Sequence, residues 1–218
     1  MSTLSTNQPA GSPVQDVGRP EAPRATAGGL LVTSVLMVVV LTLILGLVYP
    51  LMTMGVAQLL FNHQANGSLI KKNGQVVGSD LIGQNFTKLK YFWPRLSATA
   101  PSPYNAASSG GTNYGPTNKK LLQEVVTEAN LIRKVNRLPP NYLLPSDAVT
   151  SSASGLDPDI SPAYANLQIS RVARVRGLRR AVVSGLVHKY TTGRTFGLLG
   201  EPRVNVLELN LALDRLKK

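Results

Sequence analysis

The sequence contains no cysteine, only two histidines and few aromatic residues (6% of the chain). Without cysteine the chain forms no disulfide, holds no thiolate-bound metal and carries no cysteine nucleophile. Because His63 and His188 are the only imidazoles, histidine-rich metal centres and histidine-based triads are strongly disfavoured. These absences argue against most familiar kinds of enzyme site.

Acidic residues are also scarce: Asp and Glu number 11 against 23 Lys and Arg, giving a formal net charge of +12. Such a chain suits nucleic acid, anionic lipid or an acidic partner. The sequence lacks G-x-x-x-x-G-K-[ST], H-E-x-x-H, G-x-S-x-G and Asp-Lys-Thr-Gly, so phosphate-loop, zinc-protease, serine-hydrolase and aspartyl-phosphate chemistry have no motif here. We therefore expect that the chain is not an enzyme by itself.

No Asp, Glu, Lys or Arg occurs between Ala25 and Ile70, and Gly28–Pro50 is almost wholly apolar. A helix needs roughly 20 such residues to cross a bilayer. A signal peptide is the alternative, but its apolar region is about 7–15 residues long and precedes a cleavage site. The pattern predicts a transmembrane helix with an apolar extension over 28–61. Such a helix argues against nucleic-acid binding as the role of the basic charge.

The flanking charges predict the orientation of this helix. Arg19 and Arg24 precede it, whereas Lys71 is the first cation after it. The positive-inside rule places the N-terminus in the cytoplasm and residues 62–218 outside, which in a bacterium is the periplasm. Residues 1–27, rich in Ser, Thr, Pro, Gly and Ala, are predicted to be a disordered cytoplasmic tail.

The patterns beyond residue 61 predict an α+β domain. Asn73-Gly74 lies between two β-compatible runs and indicates a hairpin, and 89–93 is interpreted as a further strand. Residues 97–118 form a long polar loop. The alternation of apolar residues in 204–214 favours a strand, although its leucines also permit a helix.

Three helices are expected in this domain. One begins at Thr117 or Asn118 and ends before two prolines. The second begins after Ser161, with proline at its first position, and ends at Gly177. The third covers about 178–190.

The polar stretch before Ser161 is the first candidate site, and it has two interpretations. In one, it is only the turn that starts a helix, with its carboxylates stabilised near the positive end of the helix dipole. In the other, it contacts a partner or attracts a cation, together with Asp147. The residues concerned are Ser154, Gly155, Asp157 and Asp159.

A group of arginines is the second candidate, interpreted either as a solvated helix face or as a contact for anionic lipid or an acidic subunit. Its members are Arg171, Arg174, Arg176, Arg179 and Arg180. Within the membrane helix, Thr42 and Gly46 lie four residues apart on one face, where small residues allow another helix to pack closely.

Several stretches together resemble one family, the C subunit of the Kdp potassium-transporting ATPase. They include "YPLMTMGVAQLLF", "GQNF", "DAVTSSASGLDPDIS", "ANLQISRVARVRG" and "GEPRVNVLELNLALD". The similarity covers roughly residues 30–214. Asp159 stands where the family commonly has histidine, so the resemblance assigns this carboxylate no required chemical role.

The resemblance implies a non-catalytic accessory subunit of a complex in the bacterial inner membrane. Its partners would be a potassium-channel-like subunit, an ATP-hydrolysing P-type subunit and a small stabilising subunit. The family is described as a catalytic chaperone that raises the ATP affinity of the hydrolysing subunit, so ATP binding is implied, with no tightly bound cofactor. Because ATP is cytoplasmic and the domain is predicted to lie outside, a cap over the potassium entrance without a nucleotide role remains an alternative, as does a membrane-anchored periplasmic binding or assembly protein outside any transporter.

Overall fold

A computed structural model describes residues 26–216. The predicted disorder of the N-terminal tail concerns residues that lie almost entirely outside this range. The chain divides into two units, Met1–Ala57 and Gln58–Lys218, and each is described by itself.

A continuous helical segment of 34 residues, Ala27–Leu60, is long and apolar enough to cross a membrane. It consists of α1 (Ala27–Leu43), a π-helical turn (Ile44–Val48) and α2 (Tyr49–Leu60). At 1.5 Å per residue it is about 51 Å long, against about 30 Å for the bilayer core. The predicted helix with its apolar extension is therefore present.

After the last residues of α2, the second unit continues with a short helix and a hairpin. Helix α3 (Asn62–Ala65) precedes β1 (Leu69–Lys72) and β2 (Gln75–Ser79), which pair antiparallel. Asn73 and Gly74 occupy the turn with φ of 52° and 80°, the positive values that this dipeptide tolerates. The hairpin prediction is confirmed.

Three of the remaining helices begin and end much as the sequence predicts. Helix α4 (Lys119–Asn136) is capped by the Asn118 side chain, and α5 (Pro162–Arg176) by that of Ser161, whose hydroxyl accepts from the Tyr164 amide. Gly177 ends α5 with φ of 66°, as expected for a left-handed C-cap. Helix α6 (Arg180–Lys189) follows.

The C-terminal prediction is largely wrong. Only β5 (Arg203–Asn205) is a strand, and Val206–Arg215 forms helix α7, capped by the Asn205 side chain. β5 lies between β3 (Asp159–Ile160) and β4 (Thr191–Thr192) and is antiparallel to both. Val206, Leu209 and Leu213 are spaced three and four residues apart, so they share one face of this helix, and all three are buried there. This helical spacing, rather than the alternation, matches the structure.

The strand predicted at 89–93 is also wrong, since this segment is irregular. Buried polar side chains take the place of a neighbouring strand: three bond to this segment, and Asn136 holds one of them, Arg171. We call the four residues the polar brace: Asn136, Gln168, Arg171 and Asn210. Asn210 accepts from the Phe92 amide (2.8 Å) and donates to its carbonyl (3.0 Å). Gln168 does the same for Trp93 (2.7 and 3.1 Å), so side-chain amides satisfy these buried backbone groups.

Arg171 completes the brace. Its guanidinium donates to the carbonyls of Leu89 and Tyr91 and to the side chains of Asn136 and Gln168. It also lies 4.9 Å from the centre of the Trp93 ring, within cation–π range. Burial lowers the pKa of Arg171 to about 10, which still leaves it charged at neutral pH.

The apolar core surrounds the brace. α5 packs against α4 and α6, and α6 packs against α7. Their inward faces meet β5 and the 89–93 segment, with fully buried side chains that include Phe92, Ile132, Val172, Val183 and Val204.

Candidate functional site

The predicted acidic residues line one open cavity of about 350 Å³ at the N-terminal end of α5. We call it the polar pocket and define it by six charged residues: Arg95, Asp147, Asp157, Asp159, Glu201 and Arg203. The sequence brought three of the carboxylates together in one candidate site but did not indicate the two arginines. Arg95 follows the irregular 89–93 segment and Arg203 begins β5, so both arrive from distant parts of the chain.

Asp157 is paired on both of its carboxylate oxygens. Arg95 Nη1 lies 3.0 Å from Oδ2, while Oδ1 accepts from the Asp159 amide at 3.0 Å. Arg95 also donates to the Ser151 carbonyl (3.1 Å). This carboxylate therefore fixes the turn before α5 as well as lining the pocket.

Asp159 faces Arg203, whose Nε lies 3.1 Å from its carboxylate. Burial, reinforced by the nearby Asp157 charge, raises the pKa of Asp159, and Arg203 partly offsets the increase. Asp159 therefore takes up a proton more readily than an ordinary aspartate.

Asp147 helps to start α5, the role that the first interpretation gave to the polar stretch before Ser161. Its two oxygens accept from the Ser161 amide (2.6 Å) and hydroxyl (3.0 Å). The same hydroxyl caps α5. Asp147 and Ser161 thus start the helix, as the first interpretation expects of this stretch. Asp157 and Asp159 line an open cavity, and their contact with a partner or a cation stays a prediction.

Ser154 and Gly155 lie beside this pocket, in a turn packed against the long polar loop. The Ser154 carbonyl accepts from the Gly110 amide (2.9 Å), and the Ser97 hydroxyl donates to the Gly155 carbonyl (2.7 Å). The amides of Gly155 and Leu156 also donate within the turn. Gly155 has φ of 69°, and a Cβ there would lie 2.5 Å from the Thr99 methyl group, so the glycine is required by close packing.

The arginines do not form one surface cluster. Arg171 belongs to the buried brace, so its interpretation as a solvated or partner-facing residue is wrong. Arg176 Nη2 binds Asp214 (2.8 Å) and its Nε donates to the Lys90 carbonyl (2.7 Å). Arg174 is exposed and keeps its standing as a contact candidate. Arg171, Arg174 and Arg176 are close in sequence, but successive residues of a helix are rotated by about 100°, so the three side chains leave α5 on different sides.

A second cavity, of about 320 Å³, was not foreseen from the sequence. It lies between α4 and the irregular segment and is lined by Trp93, Tyr164 and Glu128 among others. Burial raises the pKa of Glu128. The sequence signal that could have indicated this cavity is the position of Glu128, directly before the buried Ala129 on the apolar side of α4.

Thr42 and Gly46 lie where α1 meets the π-helical turn. A Cβ built on Gly46 would lie 3.9 Å from the Thr42 methyl group, which confirms that the two residues share a face. Side chains across Ala27–Leu60 are unburied in the structure. Hydroxyl groups such as that of Thr33, which donates to the Gly29 carbonyl at 2.9 Å, are satisfied within the helix.

These features define a class: a membrane-anchored protein in which one apolar helix precedes a small α+β domain with a charged pocket. The family model described as KdpC, the c chain of the K+-transporting ATPase, matches residues 31–215. The chain therefore belongs to the KdpC family.

Individual relatives agree over most of the chain. A potassium-transporting ATPase KdpC subunit from Methylococcus capsulatus is 55% identical over 84% of this chain and 96% of its own length. Those from Paraburkholderia phytofirmans and Herpetosiphon aurantiacus are 54% and 52% identical, over 82% and 83% of this chain and 92% and 93% of their own lengths.

Proposed function

We propose that the chain is a non-catalytic accessory subunit of an ATP-driven potassium uptake complex and that its polar pocket binds another subunit. The partners are a potassium-channel-like subunit, a P-type ATPase subunit and a small stabilising subunit. The observation that carries the proposal is the state of the pocket: Asp147, Asp157 and Asp159 are each already bonded to a protein group. Such carboxylates suit recognition of a polar surface better than general acid–base chemistry.

We place the domain in the periplasm and the helix in the bacterial inner membrane. Support comes from the two arginines before the helix and from the uncharged stretch that extends to Ile70. The N-terminus is then cytoplasmic.

We further propose that the subunit raises the ATP affinity of the hydrolysing subunit by steadying the complex, without touching the nucleotide. The amides beside Ser154 and Gly155 are already used inside the turn, and they do not offer the free donors that cradle phosphate. Arg171 is buried and Arg176 is engaged by Asp214. Most of the residues that suited nucleotide contact are thus occupied.

A second candidate is a cap over the potassium entrance. It is favoured by Asp157 and Asp159, two carboxylates that line an open cavity in a strongly basic chain. In that case the pocket would raise the local cation concentration.

A single introduced cysteine tests the location, since the native chain has none. Leu143 is 90% exposed, so we expect Leu143→Cys to react with a membrane-impermeant maleimide in intact cells. The cysteine-free chain is the control for specificity, and permeabilised cells show total reactivity. Labelling only after permeabilisation would place the domain inside and contradict the proposal.

Nucleotide contact is tested separately, in the purified complex. We expect a photoreactive ATP analogue to label the hydrolysing subunit and not this chain. Omission of the chain should raise the KM for ATP while leaving some hydrolysis. Labelling of this chain that excess ATP suppresses would contradict indirect action.

A further inference from the structure

The cavity between α4 and the irregular 89–93 segment has aromatic walls. Its volume is about 320 Å³, which is room for roughly ten water-sized groups at about 30 Å³ each. Phe86, Trp93 and Tyr164 contribute the rings, and we call it the aromatic cavity. A concave site of this size, with apolar walls and a few polar groups, has the usual form of a small-molecule site.

Glu128 brings a carboxylate to this cavity and leaves it without a protein partner. Within residues 26–216, the carboxylate forms neither a hydrogen bond nor an ion pair. Burial raises the pKa of Glu128, and no nearby cation in this range opposes the increase. Because a half-buried carboxylate is costly to keep charged, a cationic group bound beside it would be stabilised.

Tyr164 supplies a second unpaired group. The residue is only 1% exposed, yet across the described part of the chain its hydroxyl takes part in no hydrogen bond. Burial and then the charge of Glu128 raise the pKa of Tyr164, which places the phenol near that carboxylate and keeps it protonated. Buried tyrosine hydroxyls normally have a partner, so this one is a donor available to a ligand.

Arg95 supplies a third unpaired group, at the boundary between the two cavities, both of which it lines. Its two Nη atoms donate to Asp157 and to the Ser151 carbonyl. Its Nε is buried and has no hydrogen-bond partner among the residues that the structure describes. Because Asp157 balances the charge of Arg95, Nε offers a hydrogen-bond donor without adding an uncompensated positive charge.

These groups differ from those of the polar pocket, where Asp147, Asp157 and Asp159 are each bonded to a protein group. The aromatic cavity combines one unpaired acceptor that carries negative charge with two unpaired donors. A ligand that satisfies all three has a positive charge at one end and an oxygen acceptor at the other.

We propose that the aromatic cavity binds a small organic ammonium compound that carries an oxygen acceptor, of which choline is the simplest probe. The ammonium group lies against the Glu128 carboxylate and the aromatic rings, where cation–π attraction adds to the ionic one. The ligand oxygen accepts from Arg95 Nε and from the Tyr164 hydroxyl. The inference goes beyond the accessory role and does not depend on it.

The fluorescence of Trp93 reports binding, because Trp93 is the only tryptophan of the chain and lines the cavity. With the full chain in mild non-ionic detergent, we expect choline to cause a saturable change in about the millimolar range. The neutral isostere 3,3-dimethyl-1-butanol should bind about tenfold more weakly or worse. Equal binding of this alcohol, the same change with potassium chloride, or no saturable change with choline would each overturn the proposal.

Glycerophosphocholine distinguishes two sources of the same chemistry. If it binds more tightly than choline, the ligand is a lipid headgroup. If it binds equally or more weakly, the ligand is a free ammonium compound. Either result supports the proposed recognition of an ammonium group with an oxygen acceptor.

Glu128→Gln tests the residue that carries the proposal, because it preserves shape and removes the charge. We expect choline to bind about tenfold more weakly or worse, with the affinity for the neutral alcohol unchanged. Glu124→Gln is the matched control: Glu124 lies one turn earlier on α4, is exposed and does not line this cavity, so choline binding should stay normal. Urea midpoints show whether both variants fold. Unchanged choline affinity in Glu128→Gln would overturn the proposal, whereas the accessory role is tested separately by periplasmic labelling and nucleotide contact.

Discussion

The polar brace and the polar pocket use similar residues in opposite ways. Both place arginine against oxygen acceptors, but Arg171 in the brace is fully buried, whereas the Arg95–Asp157 pair keeps 25% and 30% of its side-chain surface exposed. A buried polar group must find its partners inside the protein, because none is available from water. The brace therefore specifies the fold, and the pocket remains open to a partner.

The largest effect is expected when the brace loses its arginine. Arg171→Ala removes the donor that Arg171 supplies to two buried carbonyls and to the side-chain oxygen of Asn136. We expect a loss of about 3–5 kcal/mol in the free energy of unfolding. Trp93 is the only tryptophan and stacks on Arg171, so urea unfolding in mild detergent can be followed by its fluorescence. Arg174→Ala, an exposed change on the same helix, is the control, and equal midpoints for the two variants would refute the role of the brace.

The next effect concerns the turn behind the pocket. Gly155→Ala would force a Cβ to within 2.5 Å of Thr99 and 2.8 Å of the Gly110 carbonyl, at a positive φ. We expect a loss of about 2 kcal/mol. Gly110→Ala, where a Cβ meets nothing within 4 Å, should change the same urea midpoint little. An unchanged urea midpoint for Gly155→Ala would show that the turn can shift to accommodate the added methyl group, which would contradict this prediction.

The intermediate case is Asp214, which lies at the edge of the brace. Burial raises the pKa of this carboxyl, but hydrogen bonds from Arg176 and Tyr91 outweigh burial and hold it below the usual 3.8. Its stabilising contribution is therefore full above that pH and is lost as the pH falls through the lower folded pKa.

Asp214→Asn should then cost about 1–2 kcal/mol at neutral pH. The difference from the unmodified chain should shrink below about pH 4, in line with the sign of this linkage. Urea titrations at a series of pH values measure it. A difference that does not change with pH would show that the charge is irrelevant.

The smallest effect on stability is expected in the pocket. Asp157→Asn preserves shape and still accepts from the Asp159 amide, so only the partly exposed charge pair is weakened. We expect less than about 1 kcal/mol in the urea experiment. If Asp157→Asn lowered the free energy of unfolding as much as Arg171→Ala does, the polar pocket would be as important for stability as the polar brace, which would contradict this comparison.

The sequence predicted what local rules control. The uncharged apolar run, Asn73-Gly74, and the capping residues Asn118, Ser161 and Gly177 each act within a few residues of chain. The class, a membrane helix followed by an α+β domain, follows from them.

What the sequence could not show depends on distant contacts. Residues 89–93 have strand composition, but side chains from α5 and α7 take the hydrogen bonds that a strand would use. Asp157 and Asp159 were recognised as candidates, but Arg95 and Arg203 reach them from other parts of the chain. The arginines look alike in sequence, but Arg171, Arg174 and Arg176 occupy different faces of α5, and Arg180 begins α6.

The most direct test of the central claim combines Asp157→Asn with Asp159→Asn in the full complex. We expect the free energy of unfolding in urea to stay within about 1 kcal/mol of that of the unmodified protein. The amount of the other subunits recovered with the tagged chain should fall about tenfold. Recovery of the complete complex in normal amount, with normal potassium-dependent ATP hydrolysis, would contradict the claim that the exposed polar pocket is a binding surface.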